Sequence, residues 1–304
     1  MQPPTAKWYQ RAGVWIGIGI NPAMLTVGGG LASKVALSHL LWLVPLGVLA
    51  LVSIAVTQGI ISRRRREPLS QRAVTTFGQG FGAKLLNTFM AFGMTGWVGF
   101  YIGVAGVSLA NLLGVSGWLG AFIMAVSILG LSSLGLNRWN MLVWVTTLAA
   151  LIVAVVAMFA VDDIAPATPV TEPLSGTIIF GVIGSLVAYG ILFTLRCGDF
   201  TWDLETDSDV VKDGVSLLIP GVITAGIGVV LYARTGDWNV PDILAQSDLA
   251  ILGQSFLVIA VIGPMLGSLH SGKLAFQIIS GLSERMSLIV ICSLAFVLGA
   301  TRFD

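Results

Sequence analysis

The sequence predicts an all-α, polytopic membrane protein. Of its 304 residues 56% are hydrophobic and only 10% charged, with a mean hydropathy of +0.91, whereas a water-soluble domain carries about 25% charged residues. The apolar residues also lie in long unbroken blocks, the signature of bilayer spans. A third feature, interrupted spans in the first and sixth places, narrows the class to an inverted-repeat architecture.

Charge-free runs occupy 12–33, 35–62, 85–137, 139–161, 173–195, 214–233, 249–272 and 286–301. A span needs about 20 apolar residues, so 85–137 holds two, divided at Leu113-Gly114-Val115-Ser116-Gly117, and the count is nine. The first run is a span rather than a cleaved leader, because Asn21-Pro22 and Gly28-Gly29-Gly30 interrupt what would have to be a short unbroken apolar stretch. With the N-terminus in the cytoplasm, thirteen Lys and Arg residues fall inside, Arg63 to Arg66 and Arg196 among them. Only Lys34, Arg234 and Arg302 fall outside. This asymmetry sets the orientation. It places Asp162 to Pro173 and Arg234 to Asp248 outside, in a multi-pass protein of the cell membrane.

The remaining composition excludes several function classes. A net charge of +1 gives no footprint for nucleic acid. Cys197 and Cys292 form no CxxC pair and no metal pattern, and they read as small buried hydrophobes. His39 and His270 lie far apart, and neither HExxH nor GxSxG occurs, so no catalytic or metal-ligating residue is expected and the protein reads as a non-enzyme. Gly78, Gly80, Gly82 and Lys84 glance at a phosphate loop without meeting GxxxxGK[ST]. They read as a glycine-rich lead-in to the third span. Trp8, Trp118, Trp139 and Trp238 fit an interfacial aromatic belt. The acidic stretch Asp203, Glu205, Asp207, Asp209 and Asp213 reads as a solvated loop, and Lys273 as a snorkelling side chain.

Spans 1 and 6 carry the functional signal. Span 1 reads Gly17-Ile18-Gly19-Ile20-Asn21-Pro22-Ala23-Met24, where proline removes a backbone donor and glycine permits unwound geometry. Span 6 mixes glycine, aromatic and polar residues from Ala188 to Trp202. Unwound backbone survives in a membrane only where it lines a cavity or is buried in protein. Its freed carbonyls can hold a cation, and half-helix N-termini can face a polar substrate. Asn21 either donates to that substrate or satisfies the broken backbone. Trp97, flanked by Gly96 and Gly99, reads as a ring with an open face.

Several stretches resemble one family, the nucleobase–cation symporters in their cytosine-permease branch. Gly93-Met94-Thr95-Gly96-Trp97-Val98-Gly99-Phe100 is similar to that family's Gln-x-Gly-Trp-Phe-Gly segment. Gly198-Asp199-Phe200-Thr201-Trp202 is similar to its Ala/Pro-Asp-Phe-Thr-Arg-Phe signature, and Met24-Leu25-Thr26-Val27-Gly28-Gly29 and Thr76-Phe77-Gly78 fall in the matching places. The resemblance implies a five-plus-five inverted repeat of the amino acid–polyamine–organocation type, with repeats over 12–161 and 173–302. It implies import of a small flat base, cytosine or a related heterocycle, with Na+ or H+ and no organic cofactor. In such proteins the base stacks on the span-3 tryptophan, here Trp97, with Tyr189 or Phe193 on its other face and Asn21, Met94 and His270 nearby. The cation is expected between span-1 carbonyls at Gly19, Ile20 and Pro22 and the hydroxyl of Ser268.

Four departures qualify these expectations. Met94 stands where the family has a base-reading glutamine, and a thioether cannot read a base edge. Trp202 replaces the signature arginine, and Gly267-Ser268 offers one hydroxyl where relatives often have two. Nine spans against the family's twelve leave the last helices of the second repeat missing. A second reading stands beside the importer: a truncated membrane protein that binds without transporting.

Overall fold

The computed structural model describes residues 6–160, 167, 170–171, 173–246 and 248–302, the side chains of Asn137, Gln246 and Arg302 excepted. Eight helical segments among them are long and apolar enough to cross a membrane: Ala12–Ala32, Leu37–Arg65, Phe81–Leu113, Arg138–Phe159, Gly176–Leu195, Asp207–Thr235, Ala250–Ser280 and Glu284–Thr301. The shorter apolar helix Gly117–Ser132 supplies the remaining predicted span. Most of the outer loop expected from Asp162 to Pro173 lies outside the described residues.

In chain order the helices are α1 (Ala12–Gly19), α2 (Pro22–Ala32), α3 (Leu37–Arg65), α4 (Leu69–Phe77), α5 (Phe81–Leu113), α6 (Gly117–Ser132) and α7 (Leu136–Phe159). The second half contains α8 (Gly176–Leu195), α9 (Gly198–Thr201), α10 (Asp207–Thr235), α11 (Val240–Gln246), α12 (Ala250–Ala260), α13 (Ile262–Ser280) and α14 (Glu284–Arg302). Short helices recur in matching places. α4 follows the second span and α11 follows the seventh, as a five-plus-five repeat requires.

Local chemistry sets these boundaries. Gly114 closes α5 at φ 66°, in the left-handed region that costs glycine little. Two residues later the Ser116 hydroxyl caps α6 by accepting from the Leu119 N–H at 3.4 Å. Ser175 and Thr206 cap α8 and α10 in the same way. Gly78, at φ 68°, ends α4, and Gly80 starts α5, so this stretch is the tight connection expected of it.

The break in span 1 is confined to Ile20 and Asn21. Gly28, Gly29 and Gly30 do not prolong it, because all three lie inside the continuous helix α2. Gly28 and Gly29 serve close packing instead. A Cβ on Gly28 would overlap the Ala225 carbonyl of α10, and one on Gly228 of α10 would overlap the Leu25 carbonyl. Two backbones therefore meet with no side chain between them.

Span 6 is interrupted late. α8 runs unbroken to Leu195, and only Arg196 and Cys197 separate it from the one-turn α9. Span 8 slips at Val261, between α12 and α13.

The acidic stretch after α9 is not a solvated loop. Asp203, Asp209 and Asp213 are buried. Asp203 pairs with Arg11 (2.5 Å), and Asp213 accepts from the Trp15 indole N–H at 2.7 Å. Ala6 bridges Leu204 through backbone hydrogen bonds of 2.9 and 3.2 Å, while Lys7 pairs with Glu205. The segment leading into α1 is thus strapped to the segment leading into α10. Trp139 also departs from the belt reading. It is buried, and its ring lies 6.5 Å from that of His270.

Candidate substrate-binding site

α5, α8 and the broken end of α1 converge on a cluster of aromatic rings. Trp97 of α5 stands 5.1 Å from Phe193 of α8 at 51°, and 6.3 Å from Tyr189 edge-on at 89°. Both span-6 candidates therefore touch Trp97, and Phe193 presents more of its face. A fourth ring was not foreseen. Tyr101 lies 5.6 Å from Trp97 at 30°, the nearest to parallel in the group. The signal for it is its position one turn after Trp97, since residues four apart share a helix face.

Trp97 is half-buried, between one glycine in close contact with α14 and one beside open space. A Cβ on Gly99 would sit 3.0 Å from the Ala295 carbonyl of α14, and Gly96 has nothing within 4 Å.

The Asn21 side chain serves the broken backbone. Its side-chain oxygen accepts from the N–H groups of Ala23 (2.9 Å) and Met24 (3.3 Å), capping α2. Its amide donates to the Ile18 carbonyl and to the Tyr189 hydroxyl (2.5 Å). The Tyr189 hydroxyl in turn donates to the Ile18 carbonyl at 2.9 Å. The break in span 1 is thereby pinned to span 6, next to the ring cluster.

The cation-site residues are brought together only in part. Gly19 ends α1, Ile20 follows it, and Pro22 opens α2. The N–H groups of Ala23 and Met24, which would have bonded the Gly19 and Ile20 carbonyls in a continuous helix, go to Asn21 instead. Those two carbonyls are thereby freed of their helical donors. Ser268 stands elsewhere along α1: its neighbour Gly267 faces Val14, whereas Gly263 is the α13 residue that meets Gly17, where a Cβ would come within 3.1 Å. The hydroxyl bordering that contact is Thr147 of α7, 3.8 Å from the position of a Gly263 Cβ. The Ser268 hydroxyl is buried and makes no hydrogen bond.

Met94 is fully buried where α5 meets α13, its Cβ 3.1 Å from the position a Cβ on Gly272 would take. His270 packs on Phe200 (5.3 Å) and Trp139, not on the rings around Trp97. Lys273 is buried and pairs with Glu284 at 2.5 Å, so it does not snorkel freely. Arg196, counted above among the inner-face charges, is completely buried beneath Phe193. Asp199 is buried as well and accepts from the Leu69 N–H at 3.0 Å.

No protein-family model matches the sequence, and no curated protein matches it. Solved structures do. Mhp1, a nucleobase-cation-symport-1 family transporter in a closed conformation with bromovinylhydantoin bound, superposes with a TM-score of 0.86 at 15% identity, over 100% of this chain and 75% of its own. MhsT in complex with L-phenylalanine gives 0.66 at 16% identity, over 96% and 78% of the two chains. A manganese transporter of Eremococcus coleocola gives 0.65 at 14%, over 95% and 69%. At these identities the likeness is one of fold: the chain shares the helical fold of these structures and follows the Mhp1 backbone over its whole length.

Proposed function

We propose that the chain is a cation-coupled secondary transporter of a small flat heterocycle of the nucleobase or hydantoin type. The observation that carries this reading is the ring cluster of Trp97, Tyr101, Tyr189 and Phe193, set beside the break in span 1 on a backbone that follows Mhp1. A planar guest between two rings needs about 7 Å between them, two van der Waals spacings. At 5.1 Å, Phe193 must swing away from Trp97 to admit one. The carbonyls of Gly19 and Ile20 are the oxygen ligands offered to a hard coupling cation.

Purified protein reconstituted in lipid vesicles should take up labelled cytosine, uracil or hydantoin under an inward Na+ or proton gradient. Saturable binding without uptake under either gradient would reject transport and leave a binding protein.

The same reading places the N-terminus in the cytoplasm. Single cysteines at Arg65 and Asn239, both exposed, test it in a background where Cys197 and Cys292 are replaced. In intact cells an impermeant thiol reagent should label Asn239→Cys only. Labelling of Arg65→Cys alone would invert the topology.

A further inference from the structure

Arg196 is a buried cation with no carboxylate within ion-pair distance among the described residues. Its side chain is fully buried at the end of α8. Asp199 feels its charge but spends an oxygen on the Leu69 N–H at 3.0 Å. An arginine stays protonated in proteins and carries five N–H donors. Burying such a group without partners is costly, and burial is tolerated when the charge and each donor are met.

Part of the need is met. The guanidinium lies 5.2 Å from the centre of the Phe193 ring and 6.0 Å from that of Phe200, a cation–π arrangement. Nη1 donates to the Gly267 carbonyl of α13 at 3.3 Å. Nε and Nη2 have no hydrogen-bond partner. These two nitrogens form one side of the guanidinium, the fork that meets both oxygens of a carboxylate at once. Two further buried hydroxyls without partners lie close by. Tyr101 is within electrostatic reach of Arg196, and Ser268 follows the residue whose carbonyl Nη1 holds. Phe193 belongs both to the ring cluster and to the cation–π pair, so the free fork and the aromatic site share a wall.

We propose that Arg196 reads an acidic edge of the substrate: the transported heterocycle carries a carboxylate, which the Nε and Nη2 hydrogens grip side-on while its ring meets Trp97. This rests on the heterocycle reading above and narrows it. Lysine could replace Arg196 only in part, because a point charge lacks the fork.

The test is equilibrium binding to the detergent-purified full chain of three probes: orotate, its uncharged methyl ester, and uracil. Orotate should bind at least about tenfold more tightly than the ester, as two charge-assisted hydrogen bonds allow. Arg196→Gln should abolish that preference while leaving ester and uracil affinity within about twofold, and Arg196→Lys should restore it only in part. The comparison of acid with ester on the unaltered protein decides the matter even where a variant fails to fold. Equal affinity for acid and ester, or an Arg196→Gln protein that loses acid and ester alike, would overturn the role of Arg196 and leave the heterocycle reading standing. Failure of all three rings to bind would overturn both.

Discussion

Replacing Trp97 with alanine is expected to weaken binding of a flat heterocycle by about one to two orders of magnitude. Stacking of a base on an aromatic ring is worth roughly 1–3 kcal/mol by alanine substitution, and each 1.4 kcal/mol or so is tenfold in affinity. The truncation also removes the ring against which Phe193 and Tyr101 rest, at 5.1 and 5.6 Å. The control is Trp118→Ala. Trp118 is 53% exposed and its ring touches Phe296 rather than any of the four rings of the cluster, so its loss should leave affinity unchanged. Titration of both variants, after size-exclusion shows each to be folded, distinguishes a binding ring from a packing one. Equal losses would make Trp97 a packing residue.

The largest effect on folding is expected at Gly28. A leucine there must drive its Cβ into the Ala225 carbonyl, and the obstacle is backbone, which cannot rotate aside as a side chain does. Overpacking usually costs about 1–3 kcal/mol, and a clash with main chain belongs at or above the top of that range. Gly30, two residues on in the same helix, has nothing within 4 Å of the corresponding position. Gly28→Leu should lose its monodisperse peak and its thermal transition, whereas Gly30→Leu should keep both. Indistinguishable melting of the two variants would mean that α2 and α10 are not held at backbone distance.

The helices were legible because the bilayer imposes a rule that sequence alone obeys. Charge cannot be spread along a span, so uncharged runs mark the spans, and Gly114 with Ser116 marks the turn between the third and fourth. The site was legible in its first members for a related reason. Pro22 cannot donate a hydrogen bond wherever it sits, and Trp97 stands out beside small residues. What sequence reading missed depends on long-range contacts. Arg196 and Asp213 look like loop charges in a chain where charge marks loops, and only the packing of α1, α10 and α13 around them makes them buried. The glycines of α2 misled for the same reason. A triplet that permits unwinding equally permits contact with a neighbouring backbone, and which use prevails is decided by α10, almost 200 residues away.

The short helix α1 has a mechanical consequence for the whole molecule. It is eight residues long, a rigid rod of about 12 Å at 1.5 Å per residue. One end is tethered through Ile18 to the Tyr189 hydroxyl beside the ring cluster, and the other through Arg11 and Trp15 to Asp203 and Asp213. Its companion α2 is locked to α10 by backbone contact, and the non-helical pair Ile20 and Asn21 joins the two. A displacement of Tyr189 and a release of the Arg11 strap therefore load the same lever at opposite ends. Neither can move far without the other registering it.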